Sequence, residues 1–128
     1  MSCSLLKAAG VLGVAGLSAI LIWEGQAGAR TQGPTARHFS VTASRYKFDP
    51  PRIEVTQDDL VKIDIKTLDI AHSFTVDDYR IAKRVDPKRT VTFDFRADKP
   101  GTFPFYCSLQ IEDGCRQMRG ELVVKSRP

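Results

Sequence analysis

Several things are missing from this sequence of 128 residues. It has no arginine-rich run with interleaved aromatics, so a nucleic-acid surface is not expected. It has no Ser/His/Asp set, no phosphate-binding glycine loop and no zinc-protease motif, and no carboxylates are spaced for acid–base work. Internal repeats and low-complexity tracts are absent. Past the first thirty or so residues no segment carries a helical apolar stripe, which argues against an α or α/β domain. Glycine, proline and charge fractions are ordinary, and the length suits one domain.

What is present divides into two parts. Ala8 to Trp23 is an uncharged, largely apolar run flanked by Lys7 and Glu24. As a helix it would span about 24 Å, against a hydrocarbon core of about 30 Å. Leu5, Leu6 and the stem of Lys7 extend it toward a full span. Downstream, Ala27-Gly28-Ala29 is a small-x-small pattern of the kind signal peptidase cleaves. Residues 1–29 therefore read as a signal peptide or as an N-terminal membrane anchor, and both place the downstream domain outside the cytoplasm. A buried core helix would need a partner for every face, which the rest of the chain is too small to supply. Cys3 precedes the apolar run and does not resemble a lipoprotein cysteine. Lys7 and Glu24 cancel, so the remainder keeps the net charge of +4. Its charges are interspersed and mark mainly solvated strand faces.

Residues 30–37 are polar, with Gly33 and Pro34, and read as a linker. From His38 the pattern has period two. Phe39 and Val41, Ile53 and Val55, Val61, Ile63 and Ile65, and Val91, Phe93 and Phe95 each alternate with polar residues. Such alternation makes strands with one buried and one wet face. Asp49-Pro-Pro51, Gln57-Asp-Asp59, Asp86-Pro-Lys88 and Asp98-Lys-Pro-Gly101 punctuate them as turns. About seven or eight short strands are expected, in an antiparallel sandwich or barrel. Residues 77–85 read equally as a strand or as an irregular crossover. Pro104 cannot donate to a ladder, so it is expected at an edge or bulge. Phe93, Phe95, Phe103 and Phe105 are expected in the core.

The chemistry lies near the end, in Gly101-Thr-Phe-Pro-Phe-Tyr-Cys107 and the loop that carries Cys115 and Met118. Soft sulfur donors select copper or zinc over hard cations. An upstream nitrogen donor is offered by His72 in Asp69-Ile-Ala-His-Ser-Phe74. His38, at the linker edge, reads as solvated, and Glu112 and Asp113 as exposed loop charges.

In order, the strand Phe39-Ser-Val-Thr-Ala43, the segment Tyr46-Lys-Phe48-Asp-Pro50, the His72 element, the Cys107 strand and Met118-Arg-Gly120-Glu-Leu-Val-Val124 resemble the cupredoxins. They are most similar to the copper-binding domain of cytochrome c oxidase subunit II and of nitrous oxide reductase. The resemblance covers residues 38–125 and implies an all-β, Greek-key β-sandwich over 38–128 behind an N-terminal hydrophobic helix. It implies an exported protein on the periplasmic or extracytoplasmic face, anchored or soluble, that binds copper and carries one electron. Such a protein is not an enzyme on its own; it serves a respiratory oxidase or reductase as an accessory.

The subunit II loop pattern, Cys-x3-Cys-x3-His-x2-Met, places its first Cys on Cys107 and its Met on Met118. Its second Cys falls on Ile111 and its His on Cys115. Ile111 cannot bridge two coppers, so the implied centre is mononuclear, with His72, Cys107, Cys115 and Met118 as the metal set. Zinc also accepts two cysteines and a histidine. Trp23 lies outside the domain, so docking to cytochrome c gains no support. If the loop folds as in cupredoxins, both sulfurs lie near one point, and in an oxidising compartment they can close as a Cys107–Cys115 disulfide. This leaves three readings: a copper electron carrier, a copper-handling chaperone, and a metal-free structural or interaction module closed by that disulfide. The expected partners are a redox protein or a copper donor or acceptor, and the membrane if the N-terminal segment is retained.

Overall fold

The computed structural model describes residues 33–128, together with the glycines at positions 10, 13, 16, 25 and 28. The expected N-terminal helix and its export signal lie outside the described residues. Among the described residues the order is β1 (Ala36–Ser44), β2 (Lys47–Asp49), β3 (Arg52–Thr56), β4 (Leu60–Thr67), β5 (His72–Val76), β6 (Ile81–Val85), β7 (Thr90–Arg96), β8 (Gly101–Tyr106) and β9 (Arg119–Lys125). Two short 3-10 turns, Asp77–Tyr79 and Asp113–Gln117, complete it. No α-helix appears among these residues.

The strands make two sheets, one ordered β2-β1-β4-β7 and one ordered β3-β9-β8-β5-β6. The alternating pattern sets their facing sides. In β4, Val61, Ile63 and Ile65 are fully buried, while Leu60, Lys62 and Lys66 are exposed. β1 lies parallel to β4, and β3 lies parallel to β9; the other pairings are antiparallel. The sandwich is therefore mixed, where an antiparallel one was expected. β1 opens at Ala36, inside the stretch read as linker, because Ala36 and Arg37 pair with Leu60 and Val61. The ambiguous 77–85 segment resolves into a 3-10 turn and then β6.

Pro104 sits in β8, which the sheet order places between β9 and β5. However, β8 pairs with β5 only at Thr75↔Tyr106. At Pro104 the strand has a ladder partner, Glu121, on one side alone, so the missing N–H costs no pairing.

Between the sheets an aromatic cluster fills the centre. Phe74 stacks on Phe105 with centroids 4.7 Å apart, and Phe48 meets Phe105 edge-on at 5.1 Å. Such geometry suits the ring quadrupoles. Phe93 is buried with them, whereas Phe95 and Phe103 are only partly buried and pack on Tyr79. Strand directions bring the β1–β2, β4–β5, β6–β7 and β8–β9 connections to one end of the sandwich. That end carries the sulfur-rich loop.

Candidate metal centre

His72 is the first residue of β5, and Cys107 directly follows β8. Cys115 lies in the second 3-10 turn, and Met118 leads into β9. All four side chains are buried, His72 and Met118 completely. A ring nitrogen of His72 and the sulfurs of Cys107 and Cys115 lie within 4.8 Å of one another. The loop closes on itself through its backbone: the Cys107 N–H donates to Met118 O and the Met118 N–H to Cys115 O, each at 3.2 Å.

Thiolate ligation and a disulfide are both open to the two cysteines from the sequence alone. Cys107 and Cys115 are joined as a disulfide, with their Cα atoms 5.4 Å apart. The loop hydrogen bonds that converge the sulfurs also bring them within bonding reach. The disulfide alternative is therefore the state seen, and metal ligation by both sulfurs requires the reduced pair.

The histidine is oriented by a group the sequence reading passed over. Its Nε2 is 2.8 Å from Asp69 Oδ1. Burial alone would raise the Asp69 pKa, but the amides of Arg45 and Ile70 and the His72 ring outweigh it and hold the carboxyl at about 2. Both amide contacts measure 2.7 Å. An ionised carboxylate only accepts, so Nε2 carries the shared hydrogen. In the neutral ring the lone pair is then on Nδ1. Nδ1 is buried and has no hydrogen-bond partner among the described residues. Leaving such an atom unsatisfied costs about 1–3 kcal/mol. A carboxylate that fixes one ring nitrogen and frees the other is the arrangement that metal-ligating histidines use.

Hydroxyls bind the two ligand-bearing segments together. The Ser108 N–H donates to Ser73 Oγ at 2.7 Å, and Thr75 Oγ1 donates to Ser108 Oγ at 3.0 Å. Each serine directly follows a candidate ligand, so His72 and Cys107 are held in register. The remaining expectations have mixed outcomes. His38 is exposed and bound to Asp64 at 2.7 Å. Asp113 is exposed, but Glu112 is only partly so and is gripped by Arg45 and Tyr46. The Asp-x-x-His spacing was the one sequence signal that pointed to Asp69; nothing marked Arg45.

The donors present fit a soft metal: one imidazole nitrogen, two cysteine sulfurs once reduced, and a buried thioether. Hard cations prefer oxygen. The profile of the Cupredoxin-like domain family matches residues 14–124. The chain belongs to that family. Among its relatives, nitrous-oxide reductase of Stutzerimonas stutzeri is 28% identical over 89 residues, covering 66% of this chain but only 14% of that protein. The periplasmic domain of cytochrome oxidase subunit II from Bradyrhizobium japonicum superposes with a TM-score of 0.62 at 15% identity, over 70% of this chain and 83% of that one. Subunit II of cytochrome c oxidase, solved as a mixed disulfide intermediate with a thioredoxin-like protein, gives 0.60 at 17% identity, over 77% and 88% of the two chains. These structural likenesses carry the cupredoxin fold.

Proposed function

We propose that this cupredoxin domain is an extracytoplasmic copper-binding protein that carries one electron, exported or anchored by residues 1–29. The observation that carries this reading is the buried, unpartnered Nδ1 of His72, on a ring that lies in a cluster with two sulfurs. His72, Cys107 and Cys115 would hold one copper, with Met118 as a weak fourth donor. A copper ion there supplies a one-electron couple. Asp69 fixes the imidazole, and the Ser73–Ser108 pair keeps the strands from shifting as charge changes. Ile111 is 53% exposed where a bridging thiolate would be needed, which supports a single ion. The near-complete burial of the donors favours electron exchange through the protein edge over delivery of the ion. In this reading the domain acts as an accessory to a redox protein or to a copper donor or acceptor.

Before metal enters, the Cys107–Cys115 bond must open. An external dithiol supplies two electrons, the S–S bond breaks, and two protons complete two thiols. The relative trapped with a thioredoxin-like protein supports such a reductant class.

Copper titration of the reduced protein, with thiol counting, tests the reading. One equivalent of copper and an intense thiolate-to-Cu(II) absorption are expected, both lost in Cys107→Ser. A reduced, folded protein that binds no copper overturns it and leaves the second reading, a metal-free module closed by the disulfide, which the observed bond favours. Tight Zn(II) binding without copper binding would also overturn it.

A further inference from the structure

The loop between the cysteines is held down from outside by one residue pair. Arg45 meets Glu112 with two contacts of 3.1 Å, Nε to Oε2 and Nη2 to Oε1. The Tyr46 hydroxyl also donates to Glu112 Oε2. The Tyr46 ring lies on the backbone of Gly114, where a Cβ would overlap it. The backbone N–H of Arg45 donates to Asp69 Oδ2, on the carboxylate that orients His72. One two-residue turn thus touches the cysteine loop at Glu112 and Gly114 and the histidine through Asp69. Both cysteines are nearly fully buried, so a thiolate reaching their bond along the S–S axis requires the loop to lift.

We propose that Arg45, Tyr46 and Glu112 form a latch that holds the Cys107–Cys115 loop shut, and so set the rate at which an external dithiol reduces the disulfide. The latch regulates the site assigned above, yet its test needs no metal; a failure here leaves the copper reading standing, and a failure of copper binding leaves the latch standing. The contacts are made at the surface, with Arg45 and Glu112 side chains 47% and 33% exposed. Exposed pairs are weak and salt-screened. A latch of this strength opens when a docking protein competes for either charge. It closes again over the buried donors once that protein leaves.

The experiment measures the rate of thiol appearance when the oxidised protein is treated with excess dithiothreitol. Dithiothreitol closes to its cyclic disulfide as it gives two electrons to the protein's S–S bond. Glu112→Gln and Arg45→Ala should each be reduced about two- to tenfold faster than the unaltered protein. Tyr46→Phe, which keeps the ring on Gly114, should give a smaller increase. Raising salt should accelerate the unaltered protein and leave Glu112→Gln nearly unmoved. Glu54→Gln on β3 breaks two surface ion pairs, with Arg52 on the same strand and with Lys125 on β9, and should change nothing. Wild-type rates and wild-type salt dependence in Glu112→Gln overturn the latch. So does an acceleration that merely tracks each variant's loss of global stability in denaturant, since reduction then proceeds through unfolding.

Discussion

At the residue scale, the site depends on where one hydrogen sits. Asp69 accepts from Nε2, and Nδ1 is left free to donate its lone pair. If that orientation is what makes His72 a ligand, Asp69→Ala in the reduced protein should weaken copper binding about 10- to 100-fold. Competition against a copper chelator measures this; unchanged affinity in a folded variant would remove Asp69 from the site. Gly120 is a different kind of requirement. A side chain there would run into the Phe105 ring and the Pro51 carbonyl. Phe105 is fully buried between Phe48 and Phe74 and cannot swing out. Gly120→Ala should therefore cost about 1–3 kcal/mol in denaturant unfolding. Gly114→Ala would meet the Tyr46 ring, which is 40% exposed and can turn toward solvent by giving up its Glu112 contact, so its cost should be smaller.

At the element scale, the strands were legible because alternation is local. Val61, Ile63 and Ile65 announce a buried face in any sandwich, and β4 supplies it. Pairing partners were not legible. That β1 would run parallel to β4, or that Pro104 would face an unpaired side of β8, depends on contacts between distant segments. The same limit hid Asp59, which read as one acid of a turn. It is 1% exposed and accepts from the amides of Thr35 and Thr56 at 3.1 and 3.0 Å, with Arg37 and Arg127 beside it. It ties the entry of β1 to the β3–β4 turn and to the end of the chain. Burial alone would raise its pKa, but the two amides and Arg37 bring it below the ordinary value. A carboxyl depressed by folding contributes stability that is fully present above its unfolded pKa of about 4 and fades as pH falls through the lower folded value. Asp59→Asn should cost about 1.5–3 kcal/mol at neutral pH. The difference from the unaltered protein should shrink in acid. A constant difference from pH 7 down to pH 2 would show that charge at this position is not what matters.

For the whole molecule, the sandwich was legible but its chemical state was not. The same convergence of Cys107 and Cys115 suits a metal as well as a covalent bond, and a sequence carries no record of which is made. The structure makes the two exclusive, since sulfurs shared in a disulfide are not thiolates. Stability links the states. Opening so short a loop removes about 2–3 kcal/mol by the chain-entropy account. A ligand that binds only the folded, reduced form returns about 4 kcal/mol at a thousandfold excess over its dissociation constant. In a domain of this size each kcal/mol moves the melting temperature by about 4–8 °C. The reduced, copper-free protein should therefore melt lowest. The oxidised protein should melt higher, with no response to added copper. The reduced protein with saturating copper should regain or exceed the oxidised value, and His72→Ala should abolish that gain while retaining the gain from oxidation. If copper raises the melting temperature of the oxidised form as much as that of the reduced form, the metal binds elsewhere and the cysteine pair is a structural clasp alone.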